Sequence, residues 1–219
     1  MNREWSELNK TMQQQIMKRE TYPAGLQTLF ELRSQLNETI LSFRDELQRE
    51  DFSAMPFPNA NGCHSKTIAY SLWHIFRIED IVAHTLIKGD AQIFFRSGYR
   101  GRIGAPVITT GNELQGAEIA AFSGQLNLPA LYDYIAEVRE STEQLLQSLS
   151  FDDLRRKIPD EKKEALRALH VVSEQESAAW LIDYWCEKDI RGLIRMPFSR
   201  HWIMHIEAGI RIKERIQKS

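Results

Sequence analysis

The chain has 219 residues, of which 42% are hydrophobic and 26% charged, and a formal net charge of −2. That length suits one large domain with a sizeable core, and the composition excludes a disordered chain. The near-neutral balance argues against nucleic acid or an anionic membrane as the main partner.

Before the first long element, the segment beginning Asn2-Arg3-Glu4-Trp5 lacks the apolar core of a signal peptide. No apolar run approaches the ~20 residues that span a bilayer. The two cysteines, Cys63 and Cys186, belong to no CxxC pair and read as lone thiols of a reducing compartment. The expectation is a cytoplasmic protein in a single domain over 1–219, with its core over about 24–217.

Leu26, Leu29, Leu36, Ile40, Phe43 and Leu47 recur at steps of three, four and seven, which predicts an amphipathic helix over 24–50. Pro56, Pro58, Asn61 and Gly62 then break the chain. A second helix is expected over 65–87, with Ser65 as N-cap, an apolar stripe of Ser71, Ile75, Ile78, Val82 and Leu86, and Lys88-Gly89 at its end. Glycines and Pro106 make 90–112 a long loop with at most short helical pieces, and such loops are often functional. A short helix is expected over 113–122. A third long one starts at Asn127-Leu128-Pro129 and runs to about Ser150. Residues 151–172 read as irregular with short helical turns. A capping-box pattern at Ser173 opens another helix that ends before Met196-Pro197, and Ser199 caps a last helix to about Ile216. The sum is an all-α chain of long helices with short ones between them, arranged as an antiparallel bundle.

Six histidines are present: His64, His74, His84, His170, His201 and His205. His201 and His205 are spaced i, i+4, so a helix puts both imidazoles on one face, where two neutral rings can hold one divalent ion. Ala208 and Ile212 continue that face, which therefore points inward. The zinc-protease HExxH motif is not matched, because Trp202 stands where its glutamate would be. Of the two histidines on the second helix, His74 lies beside the apolar stripe and His84 is rotated toward Trp73, Arg77 and Asp80. His74 is therefore the better third ligand. From the residues alone a second reading stays open: a core-edge histidine hydrogen-bonded to a carbonyl. His64 sits beside Cys63 in a turn, and His170 has no evident partner.

A histidine in mid-helix within "SLWHIFRIED", followed over a hundred residues later by "HWIMH" on the last long helix, resembles the DinB/YfiT-like superfamily. The resemblance spans roughly Leu26 to Ile216, with 155–195 as extra material. It implies an antiparallel four-helix bundle with additional short helices and a metal held by His74, His201 and His205. It further implies a zinc, nickel or other first-row divalent ion and a metal-dependent transferase using a low-molecular-weight thiol. Partners so implied are the thiol or another small-molecule substrate, with a homodimer allowed.

Three histidines leave a coordination position open, as in catalytic rather than closed structural sites. That position suits a thiolate or an activated water, so a hydrolase is the alternative chemistry. A non-catalytic metal- or small-molecule-binding module is the alternative to enzyme function, and a structural helical protein with incidental histidines is the third reading. No Ser-His-Asp motif and no GxxxxGK loop is evident. Within "FFRSGYRGRIGAP", Arg96, Arg100 and Arg102 form a basic cluster suited to carboxylate or phosphate. They are candidate contacts to an anionic thiol, against the simpler reading of a solvated loop.

Overall fold

The computed structural model describes residues 2–218, and among these the chain is helical with no strand. One isolated antiparallel bridge pairs Lys157 with Asp189. The first element, α1 (Arg3–Gln15), is not foreshadowed by the sequence stripe. It is capped by the Asn2 side chain and buries Trp5 and Met12, packing along α2 (Tyr22–Glu46). Next come α3 (Ile68–Asp80), the short α4 (Ile93–Arg96) and α5 (Tyr99–Ile103), then α6 (Ala117–Gln125) and α7 (Leu128–Ser148). The chain finishes with α8 (Asp160–Ala168), α9 (Glu176–Cys186), α10 (Ile190–Arg195) and α11 (His201–Ile216). Among the long helices, α3 packs against both α7 and α11, and α2 against both α11 and α7. No helix of the described residues is long and apolar enough to cross a membrane.

The centre of the molecule is α3, in which every residue is buried. Its N-cap is Thr67, whose Oγ1 accepts from the Tyr70 amide at 3.1 Å. Ser65, the expected cap, lies instead in the preceding 3₁₀ turn Gly62–Ser65. Beyond Asp80 the helix widens into a π-helical turn, Ile81–Lys88, and stops at the left-handed Gly89, where the sequence placed its end. Asn127 caps α7 as expected, accepting from Ala130 at 3.2 Å.

Two other expected caps do not form. Ser173 accepts from the Gln175 amide in a local turn, and α9 begins only at Glu176, without a side-chain cap bond. Ser199 is not a cap either. Pro197 removes one backbone donor and crowds the preceding turn. The chain absorbs this as a π-helical turn, Met196–Arg200, leading directly into α11. The buried Ser199 hydroxyl donates to the Ile194 carbonyl at 2.9 Å. The break expected at Met196-Pro197 is thus a widened turn. Residues 151–172 contain one regular helix, α8, beside a 3₁₀ turn.

Two charged networks lock the long helices in register. Arg33 of α2 makes a forked pair with Glu79 of α3, at 3.0 and 2.8 Å, and donates to the Phe198 carbonyl at 3.1 Å. Trp202 of α11 donates its indole N–H to Glu79 at 2.8 Å, and the guanidinium stacks 4.3 Å from its ring. Burial opposes the Arg33 charge most, but Glu79 and Glu143 together outweigh it and hold the pKa above its ordinary value. Arg77 donates to Asp80, Gln92 and the Ile108 carbonyl. Asp80 in turn accepts from the Tyr134 hydroxyl and from the amides of Ile93 and Phe94. Every one of these four charged side chains is fully buried, so each stays only because its partners satisfy it.

Candidate metal centre

His74 sits in the second turn of α3, and its position follows from the cap at Thr67. His201 and His205 stand one turn apart at the start of α11. Trp202, between them, is anchored to Glu79, one turn beyond His74 on α3. A close backbone approach brings α11 onto α2: a Cβ at Gly209 would meet the Phe43 ring at 3.0 Å. Together these contacts bring the three imidazoles into one group, with ring centroids 4.9, 4.8 and 4.8 Å apart. One ring nitrogen from each lies within 4.8 Å of the other two.

The long loop forms a wall of this group. The Nδ1–H of His74 donates to the Thr110 carbonyl at 2.8 Å, which leaves Nε2 with its lone pair free. Tyr70 stacks on the His74 ring at 5.5 Å with an interplanar angle of 11° and donates its hydroxyl to the Gly111 carbonyl at 3.0 Å. Gly111 has φ +79, and a Cβ there would meet the Tyr70 ring at 3.1 Å. Both the backbone sign and the space require glycine. His205 Nδ1 faces the Ser71 hydroxyl at 3.3 Å. Outer contacts of this kind fix the tautomer and orientation of ligating imidazoles.

All three rings are neutral at physiological pH. Burial pushes the His74 pKa down to about 4, despite the Thr110 hydrogen bond. Burial and then the neighbouring His74 push His201 well below the ordinary value. Burial, His201, His74 and Lys66 do the same to His205. No acidic side chain belongs to the group. His201 Nδ1 is buried with no hydrogen-bond partner, a state it shares with His64 Nδ1 and Trp73 Nε1; it differs from them in belonging to a ring grouped with two other imidazoles. Three neutral nitrogen donors, two of them oriented from outside, fit a first-row divalent ion.

The remaining sequence candidates fall elsewhere. His84 is 1% exposed and satisfied at both nitrogens: Nδ1 meets Asp90 at 2.5 Å and Nε2 meets the Ser141 hydroxyl at 3.2 Å. This Ser-His-Asp chain, which sequence reading did not anticipate, ties the π-helical turn to α7. Asp90 is held further by Lys88 and Arg96. His64 lies in the 3₁₀ turn before α3, and exposed His170, at φ 50, stands 3.8 Å from Glu174. Arg96 pairs with Asp90 and Arg102 with Asp133, while Arg100 is exposed. Both cysteines are free, and burial raises each thiol pKa. The residues that sequence reasoning missed are the supports, Tyr70, Ser71 and Thr110. Tyr70 and Ser71 were findable at four and three residues before His74. Thr110 acts through its carbonyl, which no side-chain pattern reveals.

No protein-family model matches the chain, and no curated protein matches it.

Proposed function

We propose that His74, His201 and His205 ligate one divalent ion, and that the protein is a metal-dependent transferase of a low-molecular-weight thiol. The observation that carries the metal is a buried trio of neutral imidazoles gathered within reach of one ion, with no acidic partner in the group. The thiol chemistry rests on the DinB/YfiT-like resemblance of "SLWHIFRIED" and "HWIMH". So does the reading of α2, α3, α7 and α11 as an antiparallel four-helix bundle, supported by the contacts each makes with two of the others. Zinc or nickel suits an all-nitrogen donor set.

A bound ion with an open position supplies Lewis acidity that lowers the pKa of a small thiol or a water toward neutrality. The chain's own groups set the stage. The Thr110 carbonyl holds the Nδ1 proton of His74, so that Nε2 faces the group as a lone pair. Ser71 steadies His205, and the Tyr70 ring closes one side against the solvent. Neither Cys63 nor Cys186 acts as nucleophile, since burial keeps both thiols protonated at neutral pH.

The test follows consumption of a chromogenic electrophile by a panel of small thiols, with protein loaded with zinc or nickel. Metal-dependent turnover that survives the Cys63→Ser/Cys186→Ser double change and is abolished by His205→Ala supports the reading. Turnover lost on changing Cys186 alone overturns it. Metal-dependent ester hydrolysis without thiol transfer favours the hydrolase, and metal binding with neither activity favours a binding module.

A further inference from the structure

Lys66 occupies a position that the ligand set does not explain. It lies eight residues before His74, with Tyr70 halfway between, so the three side chains form one stack at the head of α3. The Lys66 ammonium is 5.1 Å from the Tyr70 ring centroid, and that ring lies flat on His74. The lysine is half-buried, and among the described residues no carboxylate pairs with it. Burial lowers its pKa, and only the Cys63 thiol opposes that. The Tyr70 ring thus stands between the ammonium and the His74 ring, at the edge of the histidine group.

An ammonium in such a place is unusual. A partly desolvated cation normally has a counter-charge, and surface lysines reach outward for solvent. This one is spread over an aromatic ring whose hydroxyl is fixed to the Gly111 carbonyl. A cation–π contact alone contributes modestly and supplies no negative charge. The missing anion would sit beside Lys66, one aromatic ring away from the His74 imidazole.

We propose that Lys66 is a specificity-determining residue that anchors the carboxylate of a small thiol whose sulfur reaches the His74–His201–His205 group. This rests on the metal-thiol reading above and narrows its substrate class: carboxylate-bearing thiols are favoured over neutral ones of equal length. The preference is electrostatic and therefore weakens with salt, whereas sulfur ligation does not share that dependence.

Cobalt-substituted protein tests this without any turnover assay. Thiolate ligation gives a near-ultraviolet sulfur-to-cobalt charge-transfer band, and titration of that band yields an affinity. The probes are 3-mercaptopropionate and 3-mercaptopropionamide, which have the same reach and differ in the terminal charge. The wild type is expected to favour 3-mercaptopropionate by about tenfold beyond the neutral thiol, as suits one charge-assisted contact. Lys66→Met should erase the preference, Lys66→Gln should do so as well, and Lys66→Arg should keep most of it. Bands with equal affinities for the two thiols in the wild type overturn the Lys66 proposal alone. The same holds if the preference survives in Lys66→Met or Lys66→Gln. Cobalt binding with no charge-transfer band from either thiol overturns the thiol reading and this proposal together.

Discussion

His84 and the His74–His201–His205 group are all buried and differ in what surrounds them. Both nitrogens of His84 have partners on neighbouring elements, just as Arg33 has Glu79 and Arg77 has Asp80. In the three-histidine group one nitrogen is buried without a partner, and the ring nitrogens have two outer hydrogen-bond contacts, to the Thr110 carbonyl and the Ser71 hydroxyl. A buried polar group that satisfies itself belongs to the architecture. One left unsatisfied, at the meeting of two helices, asks for a ligand. Burial alone does not separate structural from functional histidines, and neither does a missing partner, since His64 Nδ1 lacks one too; the gathering of three rings within reach of one ion does.

This contrast can be broken from either side. The largest stability effect is expected for Arg33→Ala, which strands Glu79 in the core and should cost about 3–5 kcal/mol in urea unfolding. Metal stoichiometry in the surviving folded fraction should stay near one. His201→Ala should show the opposite pattern. Its metal affinity should fall by more than the ~10–100-fold typical of losing an outer-shell partner, while the metal-free protein loses less stability than Arg33→Ala. His84→Ala sharpens the contrast within one residue type. It should lose about 2 kcal/mol from vacated packing and hydrogen bonds and still bind one metal. If His84→Ala lowers metal affinity as much as His201→Ala, the partition drawn here is wrong.

Acidity probes the same group. Unfolded histidines take up protons below about pH 6.5, whereas folded His74 stays neutral down to about 4. The unfolded state therefore binds more protons in that window. Metal-free stability should be whole above pH 6.5 and drain as the pH falls toward 4, on the order of 3 kcal/mol for His74 alone. Added metal stabilises only the folded form with its neutral ligands, so the rise in Tm it produces should fade over the same range. An equal metal-induced rise at pH 5 and pH 8 would show that the ligands are not imidazoles. The smallest expected effect belongs to Ser71→Ala, which frees the His205 ring to reorient. It should weaken metal binding about tenfold by competition titration without altering stoichiometry.

Much of this was legible in the residues. The i, i+4 pair at His201 and His205 and the placement of His74 beside an apolar stripe were enough to bring together the three rings that the structure gathers. Helix α7 followed from Asn127 and Pro129, because cap and first-turn preferences are local. The failures have physical causes. Arg77 and Asp80 fall off the apolar stripe of α3, yet they and Glu79 are buried because partners distant in sequence, Arg33, Gln92 and Tyr134 among them, satisfy them. Ser173 and Ser199 have cap chemistry, but nearby backbone groups took their hydroxyls instead, the Gln175 amide in one case and the Ile194 carbonyl in the other. The π-helical turn before His201 arises from Pro197 in a segment that packing keeps helical, and periodicity at 3.6 residues cannot register it.

Elemental analysis of tag-free protein, after saturation with zinc and exhaustive removal of the unbound ion, tests most directly whether three buried imidazoles hold one metal ion. About one equivalent should remain on the wild type and on His84→Ala, with almost none on His74→Ala, His201→Ala or His205→Ala. A full equivalent retained by those three variants, or none on the wild type, would contradict that ligand set.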